Sequence, residues 1–203
     1  MLNSSLTLIR RHARLYASLN VMTYGLVVAG MVLGALSPEL NAFYMGSMDA
    51  SGDSALIKSL LSQPWMFAVT ILAVNLTRVA LVAITLPSMI VPFAGIPFFA
   101  YFAFTSGIKL APVNHDVTMS LIPHSLTLVV EFQAYVLLLF GACLLGRAWI
   151  RPARVGATSR RQAWVRGMRL LGVMWVPALV LFIVGALYEA FSIVYIVPLL
   201  VAG

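Results

Sequence analysis

The chain has 203 residues, of which 62% are hydrophobic and 9% are charged, and its mean hydropathy is +0.99. Soluble globular domains carry roughly 25% charged residues, so this composition excludes an ordinary soluble domain. It predicts a single all-α domain, a polytopic bundle of membrane-spanning helices. The net charge of +7 would suggest nucleic-acid binding in a soluble chain. Here the arginines cluster where membrane topology places them, and no nucleic-acid partner is expected.

The sequence lacks the short motifs that mark common catalytic sites. It contains no HExxH, GxSxG or GxxxxGK[ST] pattern, which are the signatures of zinc proteases, serine hydrolases and P-loop ATPases. The single cysteine, Cys143, excludes an intramolecular disulfide and any metal site built from several cysteines. We therefore expect no enzymatic activity, no cofactor and no bound metal.

Five apolar segments meet or approach the length of about 20 residues that a membrane-spanning helix needs. They are residues 18–36, 65–86, 96–108, 123–150 and 170–189. The first follows a basic stretch, but it is longer than the roughly 7–15 apolar residues of a signal peptide. This length predicts an uncleaved membrane helix.

Small residues in the first span predict close packing against a neighbouring helix. Gly25, Ala29, Gly30 and Gly34 recur at about one helical turn, and small residues let two membrane helices approach each other closely.

The segments between and after the spans predict shorter elements. Residues 37–64 are polar and acidic and predict short helices at the membrane surface, with Ser54 as a helix N-cap. The proline-rich residues 87–97 mark a tight, uncharged turn between the second and third spans. The apolar tail after Glu189 is too short to cross the bilayer and is expected to fold back along its surface.

The distribution of basic residues predicts the orientation of the bundle. The basic residues are Arg10, Arg11 and Arg14 before the first span and Arg147, Arg151, Arg154, Arg160, Arg161, Arg166 and Arg169 after the fourth. The other two loops hold only Lys58 and Lys109, together with four carboxylates. Basic loops stay on the cytoplasmic side. We therefore expect a cytoplasmic N-terminus and an outside C-terminus, in the cytoplasmic (inner) membrane of a bacterium.

The arginine-rich loop has two interpretations. A basic residue near an anionic membrane surface contributes about 1 kcal/mol of attraction, so contact with anionic lipids of the cytoplasmic face is expected. The alternative is a docking site for a cytoplasmic protein.

Polar residues inside the second and fourth spans predict a cluster within the membrane. In the predicted topology both spans run in the same direction, and Asn75 and Glu131 lie at similar depths, about 15 and 12 Å at 1.5 Å per residue. Arg78 follows Asn75 by three residues and so shares its face of an α-helix. We expect Asn75, Arg78 and Glu131 to meet, with His124 and Gln133 joining them.

The cluster has a structural and a functional interpretation. Arg78 and Glu131 form a buried ion pair in the first, and the pair fixes how two helices pack. In the second, the polar residues line a cavity that binds a head group, a peptide or a proton, as ionisable residues inside a membrane often do. Glu189, at the outer end of the fifth span, is expected to reach the membrane surface.

Several segments together resemble the stage II sporulation protein M-like family of integral membrane proteins. They are VNLTRVALVAI around Asn75, IPHSLTLVVEFQAYVLLLFGACLLGRAWI with Pro123, His124, Glu131 and Gly146, and the late pair Glu189–Ala190. The resemblance covers residues 10–198. It implies a non-enzymatic membrane scaffold that recruits proteins which remodel the cell wall.

The sequence departs from this family in places. Ser125 stands where glycine is usual, Thr127 and Leu128 lie near the place of an expected glutamate, and the third span lacks an expected asparagine. The polar pocket implied by the resemblance is therefore altered in this chain.

Two functional hypotheses follow. The first is a non-enzymatic scaffold or accessory subunit of a larger envelope complex, with other membrane or envelope proteins as partners or with a second copy of the chain as a homodimer. The second is a membrane subunit of a transport or lipid-handling system, in which the polar cluster lines a substrate path and a separate ATPase takes part.

Overall fold

The protein is all-helical in a computed structural model, which describes the backbone of residues 2–201 and all their side chains except those of residues 2, 3, 115, 116 and 201. In chain order the elements are α1 (Leu2–Arg11), α2 (Ala13–Leu36), α3 (Pro38–Ala50), α4 (Asp53–Leu60), α5 (Pro64–Val74), a π-helical segment π1 (Asn75–Thr85), α6 (Leu86–Ile90), α7 (Gly95–Lys109), α8 (His115–Ile150), a short 3-10 helix (Pro152–Val155), α9 (Arg160–Phe191), a second π-helical segment π2 (Ser192–Ile196) and α10 (Val197–Val201). No strand occurs within this part of the chain.

Four helical stretches of the described chain are long and apolar enough to cross a membrane. They are Ala13–Leu36, Pro64–Ile90, Val117–Ile150 and Arg160–Leu200. These stretches contain the whole of the predicted first, second, fourth and fifth spans. The protein is thus a membrane protein with several membrane-spanning helices.

The predicted third span, residues 96–108, corresponds to α7 and is not among these four stretches. The helix has 15 residues and is about 22 Å long at 1.5 Å per residue. This is shorter than the roughly 30 Å of a bilayer core, although α7 connects the arginine end, near Met89, to the opposite end, near Ile108.

The four long stretches and α7 run between two ends of the molecule, each in the direction opposite to the one before it in the chain. At one end, which we call the acidic end, the side-chain amide of Asn41 on α3 donates to the carbonyl oxygen of Ile108 at 2.7 Å. At the other, the arginine end, the indole of Trp164 on α9 donates to the carbonyl oxygen of Met89 on α6 at 3.1 Å. The starts of α2 and α9 lie at the arginine end, and α3 and α4 form the acidic end.

The core of the bundle is α8, which packs most extensively against α9. In the apolar stretch of α8, 72% of the residues are buried, compared with 28–33% of the residues in the other three candidate spans. Glycines allow the close approach, since a Cβ added to Gly141 would lie 3.0 Å from the Leu171 Cα. Around the middle of α8, aromatic rings from three helices form one cluster: Phe99, Phe102, Phe132, Tyr135 and Phe182.

The prediction of close packing by the first span is confirmed at two of its glycines. A Cβ added to Gly30 would overlap the carbonyl oxygen of Phe104 on α7, and one added to Gly34 would lie 2.6 Å from the carbonyl oxygen of Ile108. Gly25 faces open space, so the tight contact of α2 with α7 begins further along the helix.

Three local expectations are corrected. Helix α4 begins after Gly52, whose φ of 78° starts the turn, rather than at an N-cap formed by Ser54. The turn before α7 spans residues 91–94 only, because Pro87 is accommodated in the first turn of α6. The tail after Glu189 does not fold back: it continues the line of α9 through π2 and α10, and α10 packs against α8.

Candidate functional site

Glu131 on α8 is the centre of the polar site. The side-chain amide of Asn75, the first residue of π1, donates to its Oε1 at 2.7 Å. Gly185 on α9 leaves the space for the glutamate, because a Cβ there would lie 2.7 Å from the Glu131 Cγ. The predicted meeting of Asn75 with Glu131 is therefore present in the structure.

A second carboxyl group completes the site. Glu189 on α9 lies within hydrogen-bonding reach of Glu131, and its Oε1 is 3.7 Å from the Nδ1 of His124. We call Glu131 and Glu189 the carboxyl pair. Glu189 was expected to reach the membrane surface, but it faces inward, because one turn of α9 places it beside Gly185 and opposite α8.

Both π-helical segments adjoin the carboxyl pair. Segment π1 starts at Asn75, and π2 starts at Ser192, three residues after Glu189. In a π-helix each N–H bonds to the carbonyl five residues back, and such segments occur often at functional sites. The site is thus built where two of the helices depart from regular α-geometry.

Two cavities flank the carboxyl pair. The larger, which we call the groove, has a volume of about 430 Å³ and reaches both carboxyl groups. The smaller, the side pocket, has a volume of about 260 Å³ and is lined by His124, Thr127 and Glu189. Glu189 lines both cavities, so the pair forms part of the wall between them.

Two buried hydroxyl groups near the pair have no hydrogen-bond partner. Thr127, only 1% exposed, lines the side pocket, and its Oγ1 is unpartnered. Tyr135 is also 1% exposed with an unpartnered hydroxyl, and it lies close enough to interact electrostatically with both carboxyl groups. A buried hydroxyl without a partner costs free energy, which favours a bound water or ion here.

The predicted ion pair between Arg78 and Glu131 is wrong. Arg78 lines the groove, but its guanidinium donates to both carboxylate oxygens of Asp53 at 3.1 Å, and its side chain is 62% exposed. Two causes explain this. The π-helical winding after Asn75 rotates Arg78 away from the face expected for an α-helix, and pairing at the exposed rim avoids the desolvation cost of a buried pair.

Gln133 does not join the cluster either. Its side-chain amide donates to the hydroxyl of Tyr16, and the hydroxyl of Tyr24 donates to its Oε1 at 3.3 Å. Residues two apart on a helix do not share a face. Glu131 therefore faces α9 and π1, while Gln133 faces α2.

The groove has a charged rim that includes one residue from the end of α7. Burial lowers the pKa of Lys109, and the nearby charge of Asp53 partly opposes this. The rim thus holds Asp53, Arg78 and Lys109 above the carboxyl pair.

The predicted basic residues come together in part at the arginine end. Arg10, Arg11 and Arg14 share a cavity of about 380 Å³ with Arg147, which we call the arginine pocket. Burial, followed by the charges of Arg11 and Arg147, lowers the pKa of His12. The rest of the predicted loop lies around the start of α9, where the Arg166 guanidinium donates to the carbonyl oxygen of Val155. The other members are Arg151, Arg154, Arg160, Arg161 and Arg169.

The arrangement allows one chemical process in particular. A hydrogen bond between two carboxyl groups requires that one of them carries a proton, because two carboxylates have only acceptors. The pair can therefore take up or lose a proton, and its charge decides which ligands the two cavities accept.

Gly185 and Tyr135 were not predicted as site residues, Thr127 was named only near the place of an expected glutamate, and Glu189 was assigned to the surface. Only Glu189 gave a signal, a carboxylate at the end of an otherwise apolar span. A glycine or a hydroxyl in a membrane helix is common, and its place at a site depends on which helix packs opposite.

No protein-family model, curated protein or solved structure matches the chain.

Proposed function

We propose that this protein is a membrane subunit of a transport or lipid-handling system, and that the groove holds an amphipathic ligand. The observation that carries the proposal is the groove itself, with a volume of about 430 Å³, a charged rim and the carboxyl pair at its base.

The lining of the groove matches a molecule with one polar and one apolar part. Apolar side chains of four elements form most of its wall: Leu56, Ile57, Leu60, Phe67, Ile71, Val74, Val79 and Phe102. An acyl or other apolar chain fits against them, and the polar head would contact Asn75, the carboxyl pair or the rim. Binding sites of this kind are mostly apolar with a few placed polar groups.

The groove is closed towards the arginine end. Below Glu131, the rings of Phe132, Tyr135 and Phe182 pack together with Phe99, and this part of α8 is buried. Passage of a ligand would need movement of these helices or a second subunit, which supports the role of a subunit that works with others, such as a separate ATPase.

We retain the predicted topology within this proposal, with a cytoplasmic N-terminus, an outside C-terminus and a bacterial cytoplasmic membrane. Support comes from the positions of the charges, because both arginine-rich segments lie at one end of the bundle. Anionic lipids are the proposed ligands of that end.

The second candidate is the scaffold or accessory subunit of an envelope complex. It is favoured by the resemblance to the stage II sporulation protein M-like family and by the closed aromatic cluster, because a scaffold needs no path through its interior. Protein partners, including a second copy, would then bind the exposed apolar surfaces.

Mass spectrometry of the protein purified in mild detergent tests the groove. Wild-type protein should retain an amphipathic species that Val74→Trp loses, because the indole would fill the groove. Val69→Trp is the matched control, since Val69 lies on the same helix with 60% of its surface exposed. Identical spectra for all three proteins would refute the groove as a ligand site. A cell-wall hydrolase among the co-purifying proteins would favour the scaffold.

A further inference from the structure

We propose that the carboxyl pair is an exchange site that holds either its shared proton or one sodium ion. The proposal rests on three observations: the local charge balance, the unpartnered oxygen atoms beside the pair, and the access from two cavities.

The local charge balance requires one positive charge at the site. Within the described residues, no lysine or arginine forms an ion pair with Glu131 or Glu189. Loss of the shared proton would leave two carboxylates side by side inside the protein, which costs several kcal/mol without a compensating cation.

The other ionisable groups around the pair do not supply that charge. They are His124 and Tyr135 on α8, Arg78 on π1, Asp53 on α4 and Lys109 on α7. Arg78 is held by Asp53 at the rim, and Lys109 also lies near that carboxylate. His124 is the remaining candidate, at 3.7 Å from Glu189, and it contacts only one member of the pair.

The available ligand atoms are oxygens, which suits a hard cation such as sodium rather than a transition metal. Each carboxyl group offers two oxygen atoms, and Asn75 retains its Oδ1 because its amide nitrogen makes the bond to Glu131. The Oγ1 of Thr127 is buried and unpartnered, and Thr127 lines the side pocket together with Glu189. Among the described residues no group of three or more His, Cys, Asp or Glu side chains is placed to hold a metal ion, so the remaining ligands of the sodium ion would be the oxygens of Asn75 and Thr127.

The geometry allows ions to enter and leave. The groove reaches both carboxyl groups, and the side pocket also reaches Glu189. Coupling-ion sites of membrane transporters commonly lie where a helix departs from regular winding, as π1 and π2 do here.

The exchange balances in atoms and charge. A sodium ion enters, the proton shared by Glu131 and Glu189 leaves to the solution, and two carboxylates then bind the ion. No bond between heavy atoms changes, and nothing is oxidised or reduced.

The purpose of the exchange, to couple an ion gradient to the groove, rests on the proposed transport function. The exchange itself does not, and it is measured without any groove ligand. Proton release by a protein that retains no amphiphile would refute the proposed function alone, and the converse result would refute the exchange alone.

Proton release by the purified full-length protein tests the exchange. The protein in detergent, in weakly buffered solution with a pH indicator, is titrated with sodium chloride or with choline chloride at equal ionic strength. Sodium, but not choline, should release up to about one proton per chain.

Variants assign the release to the site. Glu131→Gln and Glu189→Gln should abolish the proton release. Their amides keep the shape and hydrogen bonding of the site. Elution of each variant as a single species in size-exclusion chromatography verifies that it folds. Thr127→Val should raise the sodium concentration at half-release several-fold. Asp49→Asn, which removes an exposed carboxylate of α3, should behave as wild type. Equal release with choline, no release with sodium, or release that persists in Glu131→Gln would overturn the proposal.

Discussion

At the scale of single residues, the site depends on the absence of a side chain. Glu131 is long, and it lies between α8 and α9 at a place where the two helices are in contact. Gly185 supplies the space, since its missing Cβ leaves 2.7 Å to the Glu131 Cγ. The Cγ lies in the middle of the side chain, so it cannot give way as a flexible tip would.

Gly185→Ala should therefore displace Glu131 and lower the stability of the protein by about 1–3 kcal/mol, the usual effect of overpacking. Gly172→Ala on the same helix is the control, because a Cβ there meets nothing within 4 Å. Thermal unfolding in detergent measures both. Equal melting temperatures would show that Glu131 does not occupy this space.

Also at the scale of single residues, the pKa of His12 depends on the charges of the arginine pocket. Its pKa is lowered by burial and by Arg11 and Arg147, so the folded chain binds a proton here less readily than the unfolded chain. Stability is therefore lost as the pH falls through the ordinary histidine pKa of about 6.5. The loss should be smaller wherever an anion compensates the two arginines.

Anionic lipid should raise the pKa of His12. NMR titration of the protein in nanodiscs of phosphatidylglycerol should give a higher pKa than in nanodiscs of phosphatidylcholine, because the lipid phosphates offset the arginine charges. His12→Gln identifies the resonance. The same pKa in both lipids would argue against anionic lipid at the arginine pocket.

At the scale of elements, backbone contact joins α2 to α7. Gly30 and Gly107 face each other, and a Cβ on either would overlap a carbonyl oxygen of the opposite helix. This contact also places α7 beside the aromatic cluster, because α7 contributes Phe99 and Phe102. The position of the groove wall thus depends on two glycines outside the site.

Gly30→Ala should separate the two helices and destabilise the protein by about 1–3 kcal/mol, with a larger change in melting temperature than Gly25→Ala. Gly25 is the matched control on the same helix, with open space where its Cβ would be. A melting temperature unchanged in both variants would contradict the packing described for α2 and α7.

The elements were predictable from sequence to the extent that they depend on local composition. Apolar length predicted the long helices, and the acidic segment predicted α3 and α4. The pairing of Arg78 was not predictable, because it depends on the winding of π1, and no residue type signals a π-helix. It also depends on α4, which places Asp53 at the rim. Asn75 and Glu131 meet as predicted. The two helices run in the same direction, and the number of residues from the start of each helix sets the depth of each side chain.

At the scale of the whole molecule, charge and polarity are separated along the bundle. The arginine pocket lies at one end, and the groove opens beside α4 at the other. A membrane protein with this separation has one orientation that satisfies the positive-inside rule. The sequence predicts that orientation from the loops alone, whereas the inward position of Glu189 depends on how α9 packs against α8.

Cysteine labelling tests the proposed orientation. In intact cells Ser51→Cys, before α4, should react with an impermeant thiol reagent, and Thr158→Cys, before α9, should react only after permeabilisation. The native Cys143 is buried, so background labelling should be low. Reaction of Thr158→Cys alone in intact cells would reverse the topology.

The proposed exchange requires that Glu131 and Glu189 share a proton inside the protein. Infrared spectroscopy of sodium-free protein with and without ¹³C-glutamate tests it directly, because protonated carboxyl groups absorb apart from carboxylates. The chain has only three glutamates, and Glu39 is exposed. A shared proton should give a protonated glutamate signal in the wild type that is lost in Glu131→Gln and on addition of sodium. A wild-type spectrum in which every glutamate is ionised would contradict it.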